Sequence, residues 1–79
     1  MNARQIFLLE FLLKQHEYLS ANQLAEKYGV STKTVYQDID KLNDFFDEGE
    51  LKSRIVKVPR KGIKLSADEE RKQIHSLLL

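Results

Sequence analysis

Apolar residues recur along this chain at two spacings, and the change of spacing divides it. Through the first two-thirds the period is helical; near the end it becomes two. Ile6, Leu9 and Leu13 fall on one helical face, which Phe7, Phe11 and Leu12 widen. This predicts a helix from about Ala3 to His16, with Asn2 as its N-cap and Gln5 as the capping-box partner. So broad an apolar surface has to be covered from more than one side, which makes this the central packing helix. Ser20-Ala21-Asn22-Gln23 is a second capping box. It opens a helix carrying Leu24, Ala25 and Tyr28, in which small Ala25 permits a close helix crossing. Gly29 then supplies a positive φ at the turn.

Ser31 caps a third helix, expected from Thr32 to about Asp47. Val35, Ile39, Leu42 and Phe46 stand at i, i+4, i+7 and i+11 and make one buried stripe. The spacing then shortens. Ile55, Val56 and Val58, then Ile63 and Leu65, are two β-prone runs around Pro59-Arg60-Lys61-Gly62, which reads as a hairpin. Ser66-Ala67-Asp68-Glu69 looks like a third capping box, opening a last helix with Ile74, Leu77 and Leu78. The uncapped apolar end Leu77-Leu78-Leu79 reads as a helix cut short, and the chain as the N-terminal piece of a longer protein.

The expected fold is therefore mainly α with a small β-hairpin, in the order α-α-α-β-β-α. That is the order of a winged helix-turn-helix, with a three-helix core, a wing and a C-terminal helix. In such folds the segment corresponding to His16-Glu17-Tyr18-Leu19 often forms a very short strand against the wing. Residues 1–66 are expected to form the domain, and residues 67–79 a C-terminal helix that begins a linker or a dimerisation element.

Composition narrows the function classes. Seventy-nine residues, 42% hydrophobic and 32% charged, suit one small folded domain. There is no cysteine, which fits a reducing cytoplasm. The run Ile6-Phe7-Leu8-Leu9 is too short to span a bilayer and lacks a cleavage signal, so no membrane association is expected. His16 and His75 have no metal-ligand partners at useful spacing, and Gly29, Gly49 and Gly62 form no phosphate-cradling loop. No catalytic group, metal, cofactor or small-molecule site is expected.

Net charge is only +1, but the charges are segregated. Lys52, Arg54, Lys57, Arg60, Lys61 and Lys64 fall between Leu51 and Ala67 with no acidic residue among them. Acidic residues flank this block on both sides. With Val35, Ile39 and Leu42 turned inward, Lys33, Thr34, Gln37 and Lys41 point outward on the early turns of the third helix. Ser31 and Thr32 lie at its N-terminus, where free N–H groups favour a phosphate oxygen. Gln37 suits the N6 and N7 edge of adenine, and Thr34 a thymine methyl or a base edge. Lys33 and Lys41 suit phosphate; Tyr36 lies at the flank, within reach of another. Arg60 and Lys61 at the hairpin tip would rest on the backbone or in the minor groove, where contacts position more than they specify. Asp38 is expected to bond a basic or backbone group inside the protein. The acidic last turns confine groove entry to the helix's first half.

Residues Leu24 to Ile39 resemble the helix-turn-helix of bacterial winged-helix regulators of the DeoR and biotin-repressor type, in which Leu-Ala, Val-Ser and Thr-Val recur, followed by Asp-Ile. Pro59 to Leu65 is similar to the closing strand of their wing, with Ile63 where an aromatic is common. The wording Tyr36-Gln37-Asp38-Ile39 and the acidic end of the third helix look most like BglG/MtlR-type sugar-operon activators, which carry phosphotransferase-regulated domains. The resemblance implies Thr32, Lys33, Thr34, Tyr36 and Gln37 at double-stranded DNA. A module this small should bind weakly alone, so a homodimer, or a second DNA-binding domain, is expected in the full protein. Two other readings stay open: a winged helix used for protein contact, and RNA binding, for which the chain lacks an exposed aromatic platform.

Overall fold

Asn2, Ser20 and Ser31 start three helices in the computed structural model, which describes residues 1–78. Helix α1 spans Ala3–Leu13, α2 Ala21–Tyr28 and α3 Thr32–Glu48. Two caps are reciprocal. Asn2 Oδ1 accepts from the Gln5 N–H at 2.8 Å, and Gln5 returns an acceptor to the Asn2 N–H at 3.1 Å. Ser20 and Gln23 do the same at 3.0 and 2.8 Å. Ser31 Oγ accepts from the Thr34 N–H at 3.1 Å. Gly29 ends α2 at φ +64°, so α3 leaves at an angle and packs across α2.

The expected stripe on α3 is buried in full: Val35, Ile39, Leu42 and Phe46. It meets Leu24 and Ala25 of α2 and the face Leu8, Leu9 and Leu12 of α1. That α1 face differs from the expected one. Leu8 is buried while Phe7 is 57% exposed. The apolar residues of α1 cover almost the whole helix, so periodicity alone left several faces open; the positions of α3 and the last helix chose one. α1 also stops at Leu13 rather than His16. The Lys14 and Gln15 N–H groups bond back only three residues, and Arg71 donates to the carbonyl of Leu13 at 2.7 Å.

Strands β1 (Arg54–Val58) and β2 (Gly62–Ser66) pair antiparallel, with Ile55 opposite Leu65 and Lys57 opposite Ile63. Ile55, Ile63 and Leu65 face the core. Leu19 adds the expected extra pairing, bonding Ile63 through both its N–H (2.9 Å) and its carbonyl (2.7 Å). Gly62 makes this approach possible. Its φ is +115°, and a Cβ there would stand 2.5 Å from the carbonyl oxygen of Leu19.

Ser66 does not cap the last helix as expected, because it belongs to β2 opposite Arg54. A 3-10 turn over Asp68–Glu70 follows, then α4 over Arg71–Leu78. The Glu70 carboxylate instead accepts from the Lys52 N–H at 2.8 Å, the Ser53 N–H at 2.7 Å and the Ser53 hydroxyl. These bonds hold the Glu70 carboxyl below the usual carboxylate range, the Ser53 hydroxyl contributing most. Ile74 of α4 is fully buried in the common core, and Leu77 is exposed. Leu79 lies outside the described residues. Among the described residues no helix is long and apolar enough to cross a membrane. Three helices, a hairpin and a closing helix, in that order, make a winged helix-turn-helix.

Candidate nucleic-acid interface

The wing is fastened to one flank of α3 by three contacts at helical spacing. Tyr36 carries the Lys57 ammonium 4.8 Å above its ring. One turn pair further on, the Asn43 amide accepts from the Ile55 N–H at 2.8 Å and donates to the Ile55 carbonyl at 3.2 Å. It thus satisfies the free edge of β1 as a neighbouring strand would. Beyond it, Asp47 pairs with Arg54 at 2.6 Å. Part of the acidic end of α3 is therefore used to hold the hairpin.

The Tyr36–Lys57 contact borders an open cleft of about 460 Å³ between the wing, the start of α2 and the flank of α3. Tyr36, Lys57, Arg60 and Lys61 line it together with Ser20 and Ala21, and no acidic residue does. Arg60 occupies the turn between the strands at φ +68°, following Pro59, with the Lys61 N–H bonded to the Val58 carbonyl at 3.0 Å. A left-handed arginine is uncommon and costs about 1 kcal/mol. The turn geometry places both Arg60 and Lys61 in solvent at the hairpin tip. On the outer side of the hairpin, Lys61 and Lys64 both stand over the Tyr18 ring, at 5.8 and 5.5 Å.

The opposite flank of α3 is fixed by Asp38. Its carboxylate is buried and accepts from Arg4 Nε at 2.6 Å, from another Arg4 nitrogen at 3.0 Å and from Gln5 Nε2 at 3.0 Å. Asp38 thus bonds a basic group inside the protein, as expected. Burial pushes its carboxyl up. The hydrogen bonds from Arg4 and Gln5, with the guanidinium charge, outweigh that, and the net position is below the ordinary carboxylate range. Gln5 has a double role: it closes the α1 capping box and braces α3. Beside this brace a smaller depression, of about 370 Å³, is lined by Arg4, Gln5, Gln37, Asp38, Asp40 and Lys41.

The nine residues singled out in the sequence fall into three places. Tyr36, Arg60 and Lys61 share the basic cleft. Gln37 and Lys41 are exposed on the Arg4 side of α3. Ser31, Thr32, Lys33 and Thr34 form the tip of the helix. Ser31 and Lys33 are exposed, while Thr32 and Thr34 are half-buried. The Thr34 hydroxyl lies 3.1 Å from that of Ser31, so it is engaged in the cap. Lys57 was missed. Its alternation with Ile55 assigns it to the inward face of β1, but that face has passed the core by Lys57 and meets Tyr36 instead. Asn43 was missed as well, since nothing local to it announces a strand edge twelve residues on.

Residues 4–64 match the model of the HTH domain family. The chain belongs to that family. The matched span of this helix-turn-helix domain runs from Arg4 in the brace to Lys64 on the wing, so it takes in both flanks of α3. The match makes it a helix-turn-helix module of the DNA-binding, transcription-regulating kind. Comparison with curated proteins and with solved structures finds no match.

Proposed function

We propose that this helix-turn-helix domain binds double-stranded DNA sequence-specifically. The first turns of α3 enter the major groove, and the wing lies on the flanking backbone. The observation that carries the reading is the cleft lined by Tyr36 of α3 and by Lys57, Arg60 and Lys61 of the wing, with no carboxylate in its lining. A backbone strand passing through it would keep Lys33 and Gln37, both exposed, over the groove. Gln37 suits an adenine edge, Lys33 and Lys41 suit phosphate, and the free N–H groups beside Ser31 and Thr32 suit another phosphate.

A winged helix used for protein contact needs no such basic, carboxylate-free cleft between wing and helix. The resemblance at Tyr36-Gln37-Asp38-Ile39 supports a finer reading: a bacterial cytoplasmic regulator of a carbohydrate-uptake operon, working as a homodimer. A module of this size covers roughly 600–1,000 Å² of DNA, and pairing would raise its affinity.

Salt dependence tests the DNA reading. With about five phosphates neutralised, log K for random duplex should fall with log salt at a slope of about −4 to −5. Arg60→Ala with Lys61→Ala should weaken every duplex equally, and Gln37→Ala should change which duplexes are selected. Flat or absent binding at low salt favours the protein-contact reading.

A further inference from the structure

The outward line of α3 changes sign along its length. Lys33 and Gln37 come first, then Asp40 and Asp44, all exposed. Asp40 is the residue at the crossing. It stands three residues after Gln37 and four after Tyr36, on the same side of the helix. Gln37, Asp40 and Lys41 line one depression. Two other carboxylates of α3 have partners, Asp38 in Arg4 and Asp47 in Arg54, while Asp44, a turn beyond Asp40, has none among the described residues. Among the described residues Asp40 has neither an ion pair nor a side-chain hydrogen bond.

From Thr32 to Asp40 the helix advances about 12 Å, which is also about the width of the major groove. With the helix axis across the groove, Asp40 is therefore the last residue on the line Lys33, Gln37, Asp40, Asp44 that remains among base edges. Its chemistry is restrictive. A carboxylate accepts and does not donate, so phosphates repel it, as do the O6 and N7 of guanine and the O4 of thymine. Adenine offers one donor beside the repelling N7. Cytosine offers its N4 amino group without an adjacent acceptor.

We propose that Asp40 is a specificity-determining residue that accepts a hydrogen bond from the N4 amino group of a cytosine, at a base pair next to the one met by Gln37. The inference rests on the DNA-binding reading above. It adds exclusion to recognition: a site with guanine at that strand position faces an unpaired carboxylate.

The test is selection from a randomised duplex pool at low salt with the 79-residue chain, its Asp40→Ala and its Asp40→Asn variants. Asp40 is exposed and unpaired, so equal melting temperatures should show that all three fold alike. The wild type should enrich cytosine over guanine at one position, by on the order of tenfold. Asp40→Ala should lose that preference alone, with the other positions and the salt slope unchanged. Asp40→Asn, which gains a donor, should move the preference towards adenine. Uniformly tighter binding of Asp40→Ala to every sequence would overturn the proposal, since Asp40 would then only repel the backbone. An unchanged selection profile would overturn it as well. Absence of duplex binding by the wild type would instead defeat the underlying DNA reading, and this proposal with it.

Discussion

Replacing Gly62 by alanine tests how the wing is held. Gly29 and Gly62 both have positive φ, +64° and +115°, but their surroundings differ. A Cβ on Gly29 meets nothing within 4 Å, so Gly29→Ala carries only the conformational cost, about 1 kcal/mol. A Cβ on Gly62 would lie 2.5 Å from the Leu19 oxygen and 2.9 Å from its carbonyl carbon. Both are backbone atoms and cannot swing aside, so the segments must separate. Separation breaks the two Leu19–Ile63 hydrogen bonds, worth about 0.5–1.5 kcal/mol each. With a backbone penalty of about 1–2 kcal/mol, Gly62→Ala should lose about 3.5 kcal/mol. A domain of this length has about 4–12 kcal/mol in total. Thermal unfolding followed by circular dichroism should show a melting point lower by about 15–25 °C for Gly62→Ala and by about 4–8 °C for Gly29→Ala. Equal losses at the two glycines would show instead that the contact with Leu19 contributes nothing to stability.

Arg60→Gly should leave the fold at least as stable, since it relieves a left-handed arginine, yet weaken binding to all duplexes and make the salt slope shallower by about 1; urea unfolding and fluorescence anisotropy measure the two effects. Asp38→Ala should cost about 2 kcal/mol by urea unfolding, because it strips the bonds from Arg4 and Gln5, with the exposed side of Arg4 limiting the loss. The Asp38 carboxyl lies below its unfolded value, so its contribution is present above about pH 4 and is lost as the pH falls through the folded value. Stability of the wild type should therefore drop more steeply below pH 4 than that of Asp38→Asn.

What could be read from the sequence was local. The caps at Asn2, Ser20 and Ser31, the turn at Gly29 and the Val35–Phe46 stripe each depend on residues within a few positions of one another, and all are present. The Leu19 pairing was legible by family pattern. The illegible parts join distant residues. Arg71 fixes the end of α1 from 58 positions away, and Glu70 bonds a loop seventeen and eighteen positions before it. Asp38 announced a need for a partner without naming Arg4, 34 positions earlier. At the candidate site the same division holds. Charge and helical phase marked Lys33, Gln37, Arg60 and Lys61, whereas Lys57 became visible only once β1 lay against Tyr36.

The tip of α3 and the wing are proposed to form one DNA-binding face. Amide chemical-shift mapping on titration with a short duplex at low salt locates that face. The largest changes should fall together on residues 31–41 and 57–62, with the outer surfaces of α1 and α4 unaffected. Changes confined to the exposed side of α1 around Phe7 or to α4, or none at all at saturating duplex, would mean that α3 and the wing do not bind DNA together.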